Sequence, residues 1–184
     1  MSRSLLTCLV LTFLAGIVQA QFIPFDNYTV KEEVARKRLP ANVIYDVEQD
    51  HFGFLWLATQ VGAIRFDGYN YQSFTISEGL PDNNVSEIFI DSRNRVWMAM
   101  QSGGLAWYRN GNLHLINTGN GLVSDYAQHM LEDLEGNIWY FSYEGVSQIK
   151  PDTIINYSDS LFTGGVFASY LDRAGNVWFS TISN

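Results

Sequence analysis

Acidic and aromatic residues recur together in this chain at a spacing that could serve either chemistry or structure. The pattern Asp-x-x-(Gly/Asn)-x-x-Trp occurs four times, carried by Asp50, Gly53 and Trp56, by Asp91, Asn94 and Trp97, by Asp133, Gly136 and Trp139, and by Asp172, Gly175 and Trp178. Repeated carboxylates could work as general acids and bases, and repeated indoles could stack on sugar faces. A simpler reading is available. An Asp side chain accepts hydrogen bonds from amides one to three residues on, which clasps a turn. The Gly or Asn three residues later suits a left-handed backbone. The Trp three residues beyond falls in the next strand, where it would wedge between neighbouring units, its indole N–H given to a carbonyl of the adjacent unit. An element present in every repeat reads as structure; residues that depart from the pattern are the better clues to a site. Trp107, Tyr108, Tyr126, Tyr143 and Tyr170 are such departures.

The remaining candidates are sparse. The histidines are His51, His114 and His129, and none lies near a cysteine or four residues from a second histidine. His129 and Glu132 are a close acid–base pair on one expected strand, but three residues apart they face opposite sides of it. Asp50, Asp91, Asp133 and Asp172 are too far apart in sequence to be a catalytic pair by spacing. There is no Gly-x-Ser-x-Gly elbow and no phosphate loop. No catalytic, metal or cofactor-binding residue is therefore assigned, and no cofactor is expected.

The elements that position these residues follow from the period. The four tryptophans are 41, 42 and 39 residues apart. A repeat of about 40 residues made of short strands marks a β-propeller blade. The second repeat reads most clearly, with strands over 85–90, 96–100, 105–109 and 113–117 and the hairpin signal Asn110-Gly111 between the last two. The first repeat gives 43–48, 54–59, 63–66 and 71–75; the third gives 127–132, 138–142, 146–150 and 153–157. The fourth offers only 166–171 and 177–181. The fold class is all-β, a propeller of four-stranded antiparallel blades with about three and a half blades present. The expected divisions are a signal peptide over 1–20, an orphan closing strand and connector over 21–38, blades over 39–79, 80–121 and 122–160, and a partial blade over 161–184. The orphan strand is Phe25 to Thr29, which resembles Tyr71 to Thr75 and could complete the last blade of a closed ring. Three and a half blades cannot close one, so the sequence reads as an N-terminal fragment whose apolar blade faces would be exposed.

Export follows from the leader. Arg3, the apolar run Leu5 to Val18 and the small residues of Val18-Gln19-Ala20 form a secretory signal peptide. No later apolar stretch is long enough to span a bilayer. The single cysteine, Cys8, lies in the leader, which excludes disulfides from the mature chain. The formal charge of −8 becomes −9 once Arg3 is removed, and so acidic a surface disfavours nucleic acid. Lys31, Arg36, Lys37 and Arg38 form a modest basic connector before the first repeat.

The repeats resemble the two-component regulator propeller family. Gly79-Leu80-Pro81-Asp82-Asn83-Asn84-Val85 to Asp91 carries the first half of that family's repeat. Trp56-Leu57-Ala58-Thr59-Gln60-Val61-Gly62-Ala63-Ile64-Arg65-Phe66-Asp67-Gly68 carries the second. Leu39-Pro40-Ala41-Asn42-Val43 and Gly121-Leu122-Val123-Ser124 are weaker openings. Arg38 replaces the Gly expected before Leu39, and Phe141-Ser142-Tyr143 departs where Thr often follows the Trp. The resemblance implies the exported sensor region of a histidine kinase or transcription regulator, from Bacteroidetes-like bacteria, whose span and output domain lie downstream. It also implies a small-molecule or oligosaccharide ligand, a homodimer, and membrane attachment through that later segment. Two other readings stand beside it. Streptogramin lyase-type propellers carry runs like Asp172 to Phe179, and a secreted scaffold or adhesion propeller would have no output domain.

Overall fold

The computed structural model describes residues 39–158 and 165–181. The leader, Cys8, the 25–29 strand and the basic connector lie outside the described residues. Blade 1 comprises β1 (Ile44–Gln49), β2 (Leu55–Thr59), β3 (Gly62–Phe66) and β4 (Tyr71–Phe74). Blade 2 comprises β5 (Val85–Ile90), β6 (Val96–Met100), β7 (Leu105–Arg109) and β8 (Asn112–Ile116). Blade 3 comprises β9 (Ala127–Glu132), β10 (Ile138–Ser142), β11 (Val146–Ile149) and β12 (Ile154–Tyr157). The fourth sheet pairs β13 (Val166–Leu171) with β14 (Val177–Thr181). Each sheet is a meander: strands lie in chain order and every pair is antiparallel. The strand boundaries fall within about a residue of those read from the sequence.

The sheets stack as an open arc. The first strands of successive blades touch one another, β1 with β5, β5 with β9 and β9 with β13, which makes them the innermost strands. Every one carries a register shift at the same repeat position, at Tyr45, Ser86, Gln128 and Phe167. A bulge adds twist and re-aims the next side chain, so the residue after it is turned toward the neighbouring blade.

Packing lies between blades. Trp56, Phe74, Ile88, Met98 and Met100 belong to the layer joining blades 1 and 2. Trp97, Leu105, Met130, Ile138 and Tyr140 form the next layer, joining blades 2 and 3. Phe141 and Val146 pack with Val166 in the third. Each such side chain contributes about 1.5–3 kcal/mol on burial.

One glycine in each full blade is demanded by the close approach of its third and fourth strands. Gly62, Gly104 and Gly145 open the third strand or the turn just before it, at φ of 125°, 85° and 153°. A Cβ there would meet the carbonyl oxygen that ends the fourth strand, at 2.3 Å from Phe74, 2.4 Å from Ile116 and 2.5 Å from Tyr157. Two single-turn 3₁₀ helices, Ile76–Glu78 and Thr118–Asn120, link one blade to the next. The first is held by a capping box between Thr75 and Glu78.

Candidate functional site

The motif carboxylates are fully engaged in turns. Oδ1 of Asp50 accepts from the amides of Phe52 (2.9 Å) and Phe54 (3.1 Å). Asp91 does the same with Arg93 (3.0 Å) and Arg95 (2.8 Å), Asp133 with Glu135 (3.0 Å) and Asn137 (2.9 Å), and Asp172 with Ala174 (2.9 Å) and Asn176 (2.8 Å). The amides are thus two and four residues on, rather than one to three. Oδ2 accepts the indole N–H of the same repeat: Trp56 at 2.9 Å, and Trp97, Trp139 and Trp178 at 2.8 Å. This corrects the expectation of a carbonyl from the adjacent blade. The hairpin brings the Trp back beside its own turn, so the nearest acceptor is its own acid. Gly53, Gly136 and Gly175 sit at φ of 88°, 79° and 87°, and Asn94 takes the left-handed place at 56°.

These bonds set the acidity of the turns. Burial pushes the Asp133 carboxyl up, but hydrogen bonds led by Asn137 and Trp139 outweigh it and hold it below the usual range. Asp172 is held down to about 2, first by the Trp178 indole and then by Asn176.

The residues that follow the bulges form a second arrangement, which spacing did not reveal. Asp46, Glu87 and His129 occupy one repeat position on β1, β5 and β9, and each reaches toward the next blade or is reached from the last. Asp46 Oδ2 accepts the amide of Ile88 at 3.1 Å. His129 Nδ1 lies 2.7 Å from Glu87 Oε1, and the Met130 amide bonds the same carboxylate. Glu87 Oε2 is buried with no hydrogen-bond partner. Burial raises the Glu87 carboxyl against the lowering effect of His129. The hydrogen bond with Glu87 raises His129 against the opposing effect of burial. Both shifts favour a proton held on the pair. His129 therefore does have an acid partner, but it is Glu87 from the preceding blade. Glu132 instead accepts from Ser92, at 2.7 Å to both its amide and its hydroxyl.

The departures from the repeat separate into two groups. Trp107 stacks on His114 with ring centres 3.9 Å apart, and Tyr108 packs on Trp56 and Phe74. Those are packing residues. Tyr126 and Tyr143 are exposed and line one cavity of about 470 Å³, with Asp82, Ser86 and Gln101. It lies between blades 2 and 3, at the opposite ends of the strands from the Asp turns. Tyr170 is exposed and lies outside that lining. Among the described residues no group of three acidic, histidine or cysteine side chains could hold a metal ion, and no helix is long and apolar enough to cross a membrane.

Meander sheets stacked through their first strands define a β-propeller, and the described residues form an open arc of three full blades and two strands of a fourth. Segments 38–60 and 79–102 match the family model described as two component regulator propeller, and the chain carries repeats of that family. No curated protein matches the chain. Among solved structures it is similar to the extracellular domain assigned to the hybrid two component system BT3049 of B. thetaiotaomicron. That similarity has a TM-score of 0.71 at 23% identity, over 81% of this chain and 22% of that one. Virginiamycin B lyase from Staphylococcus aureus is similar with a TM-score of 0.61 at 15% identity, over 75% of this chain and 48% of the enzyme. PorZ, a surface component of the type-IX secretion system of Porphyromonas gingivalis, gives 0.58 at 15% identity, over 77% of this chain and 24% of PorZ. At these identities the likeness is one of fold. The chain spans about a fifth of the first of these proteins and about half of the second.

Proposed function

We propose that this chain is part of the extracytoplasmic sensor region of a two-component signal-transduction protein, a sensor histidine kinase or a transcription regulator. The observation that carries this reading is the match of two separate repeats to the two-component regulator propeller model. The leader over 1–20 fits export, and the fold fits the role. Rigid meander blades hold variable connections around one end of an arc, where a small-molecule or oligosaccharide ligand could bridge two or more of them. Such a ligand would shift the balance between arrangements of paired propellers, and a downstream span would carry that shift to the output domain. The motif Asp and Trp residues serve the blades in this reading, since all four carboxylates are committed to turns and indoles.

The test is deletion of the gene followed by transcript profiling across a panel of growth substrates. A substrate-specific set of induced transcripts should be lost in the deletion strain and restored by the intact gene. An unchanged transcriptome, with the gene product found free in the medium, would sink the proposal.

A further inference from the structure

One cavity departs from the repeat in a way the fold does not require. Tyr126 and Tyr143 of blade 3 correspond, counted from the inner strand and from the motif Trp, to Asn84 and Gln101 of blade 2 and to Val43 and Gln60 of blade 1. In blade 2 the two side chains hydrogen-bond each other, Asn84 Nδ2 donating to Gln101 Oε1. That link ties the start of the inner strand to the turn after the second strand, and polar residues suffice for it. Blade 3 keeps the backbone course and puts an aromatic ring at both positions. Tyr126 is 53% exposed and Tyr143 58% exposed. Among the described residues neither ring stacks on another aromatic ring, and the edge of the Tyr143 ring lies beside Gly165.

The rest of the lining specifies charge. Among the described residues of the lining, Asp82 contributes the one carboxylate, Ser86, Ser102 and Gln101 contribute neutral polar groups, and there is no Lys or Arg. Oδ1 of Asp82 accepts the Asn84 amide at 3.1 Å, and Gln101 retains its amide N–H₂ as a donor after accepting from Asn84. The cavity, about 470 Å³, is within the range of small-molecule sites. Aromatic faces attract cations through their quadrupole, and a nearby carboxylate adds to that attraction. An anion would meet Asp82 and two electron-rich rings.

We propose that this cavity is a binding site for a small organic cation, an alkylated amine or quaternary ammonium group held between Tyr126 and Tyr143 with Asp82 as its counter-charge. As the input to signalling the site rests on the sensor reading; as a binding site it is tested directly.

The probe is choline, titrated by calorimetry into the full chain as the gene encodes it, beside its uncharged isostere 3,3-dimethylbutan-1-ol and beside glucose. Choline should bind saturably and the isostere should bind about tenfold more weakly. The double substitution Tyr126→Asn with Tyr143→Gln restores the residues that blade 2 uses, so it should leave the circular dichroism spectrum and unfolding midpoint unchanged. It should weaken choline by about tenfold or more. Asp82→Asn should weaken choline and not the isostere. Absence of saturable choline binding, equal binding of choline and its isostere, or glucose binding in place of choline would each overturn the proposal. So would choline binding unaffected by the double substitution. None of these results depends on transcript profiling, so failure here and failure of the sensor reading are separable.

Discussion

Replacing Asp91 with alanine should be among the most damaging single changes in the chain, and replacing Asp172 should be among the mildest of its kind. The two residues make the same contacts on paper. Asp91 accepts the amides of Arg93 and Arg95, the Arg95 Nε at 2.5 Å and the Trp97 indole at 2.8 Å. Asp172 accepts two amides, the Asn176 side chain and the Trp178 indole. Surroundings separate them. Trp97 is 1% exposed under blade 3, whereas Trp178 is 61% exposed. In Asp91→Ala the buried indole N–H loses its acceptor, at about 1–3 kcal/mol. The Arg95 guanidinium, mostly buried against Trp97, loses its counter-charge, which brings the expected total to about 3–5 kcal/mol. The two turn amides can reach water and add little. In Asp172→Ala the exposed indole and amides turn to solvent, and the unfolding midpoint should stay where it was. The assay is urea unfolding of residues 21–184, in which Trp178 stays exposed, at dilutions low enough to limit self-association, followed by circular dichroism and by hydrogen exchange within blade 2. Equal losses in the two variants would refute the reasoning, because contact geometry alone would then set the energy and burial would not matter.

Further expectations follow from the same structure. Gly104→Ala should destabilise by more than about 2 kcal/mol, since its Cβ would lie 2.4 Å from the Ile116 carbonyl oxygen; Gly111→Ala, with open space around it, should lose only about 1 kcal/mol from left-handed strain. Denaturant midpoints compare the two. Glu87 and His129 both have folded-state affinities for protons above their ordinary values. The contribution of each is therefore fully present below its own ordinary value, the carboxylate value for Glu87 and the imidazole value for His129, and is lost as pH rises through its raised one, so the blade 2–3 contact should weaken steadily as pH rises from acidic values. Glu87→Gln should lower the His129 titration midpoint read by NMR and flatten that dependence. Trp178→Phe should raise the Asp172 carboxyl from about 2 toward the ordinary aspartate value, read from its carboxyl carbon shift. Residues 21–184 expressed alone should self-associate, because Val43, Ile44, Tyr45 and Val47 are exposed at one end of the arc and Tyr170, Trp178 and Phe179 at the other. A sharp two-state melt of a soluble monomer would contradict that.

The blades were legible because their signals are local. Val85 to Ile90 alternates, Asn110-Gly111 marks its hairpin, and the motif period spaces the sheets; Asn110 and Gly111 indeed sit at φ of 52° and 86°. The link between Thr75 and Glu78 that caps a 3₁₀ turn is equally local, but it follows the strand expected over 71–75, where no further element is expected. The Trp–Asp bond was missed although both partners were named, since their contact depends on how the hairpin folds back. The Glu87–His129 pair was out of reach, being 42 residues apart and joined only by the stacking of two blades. The one sequence signal for it is that both follow a bulged position in their repeats. The Tyr126 and Tyr143 cavity was partly legible, because both tyrosines fall outside the repeated motif and Tyr143 stands where the first two repeats have Gln60 and Gln101. What the sequence does not encode locally is which end of the arc such departures share.

Exposure of the blades on the outer side of the membrane is the claim on which the account rests. Residues 21–184 contain no cysteine, so a single one can report it. Tyr69→Cys places a thiol on the exposed turn between β3 and β4, at a residue 79% exposed. The label is a membrane-impermeant maleimide, applied to intact spheroplasts carrying the full-length gene product with any downstream cysteines replaced. The account predicts full labelling before lysis, with the labelled protein retained in the membrane fraction. Labelling only after lysis would place the blades in the cytoplasm and contradict it.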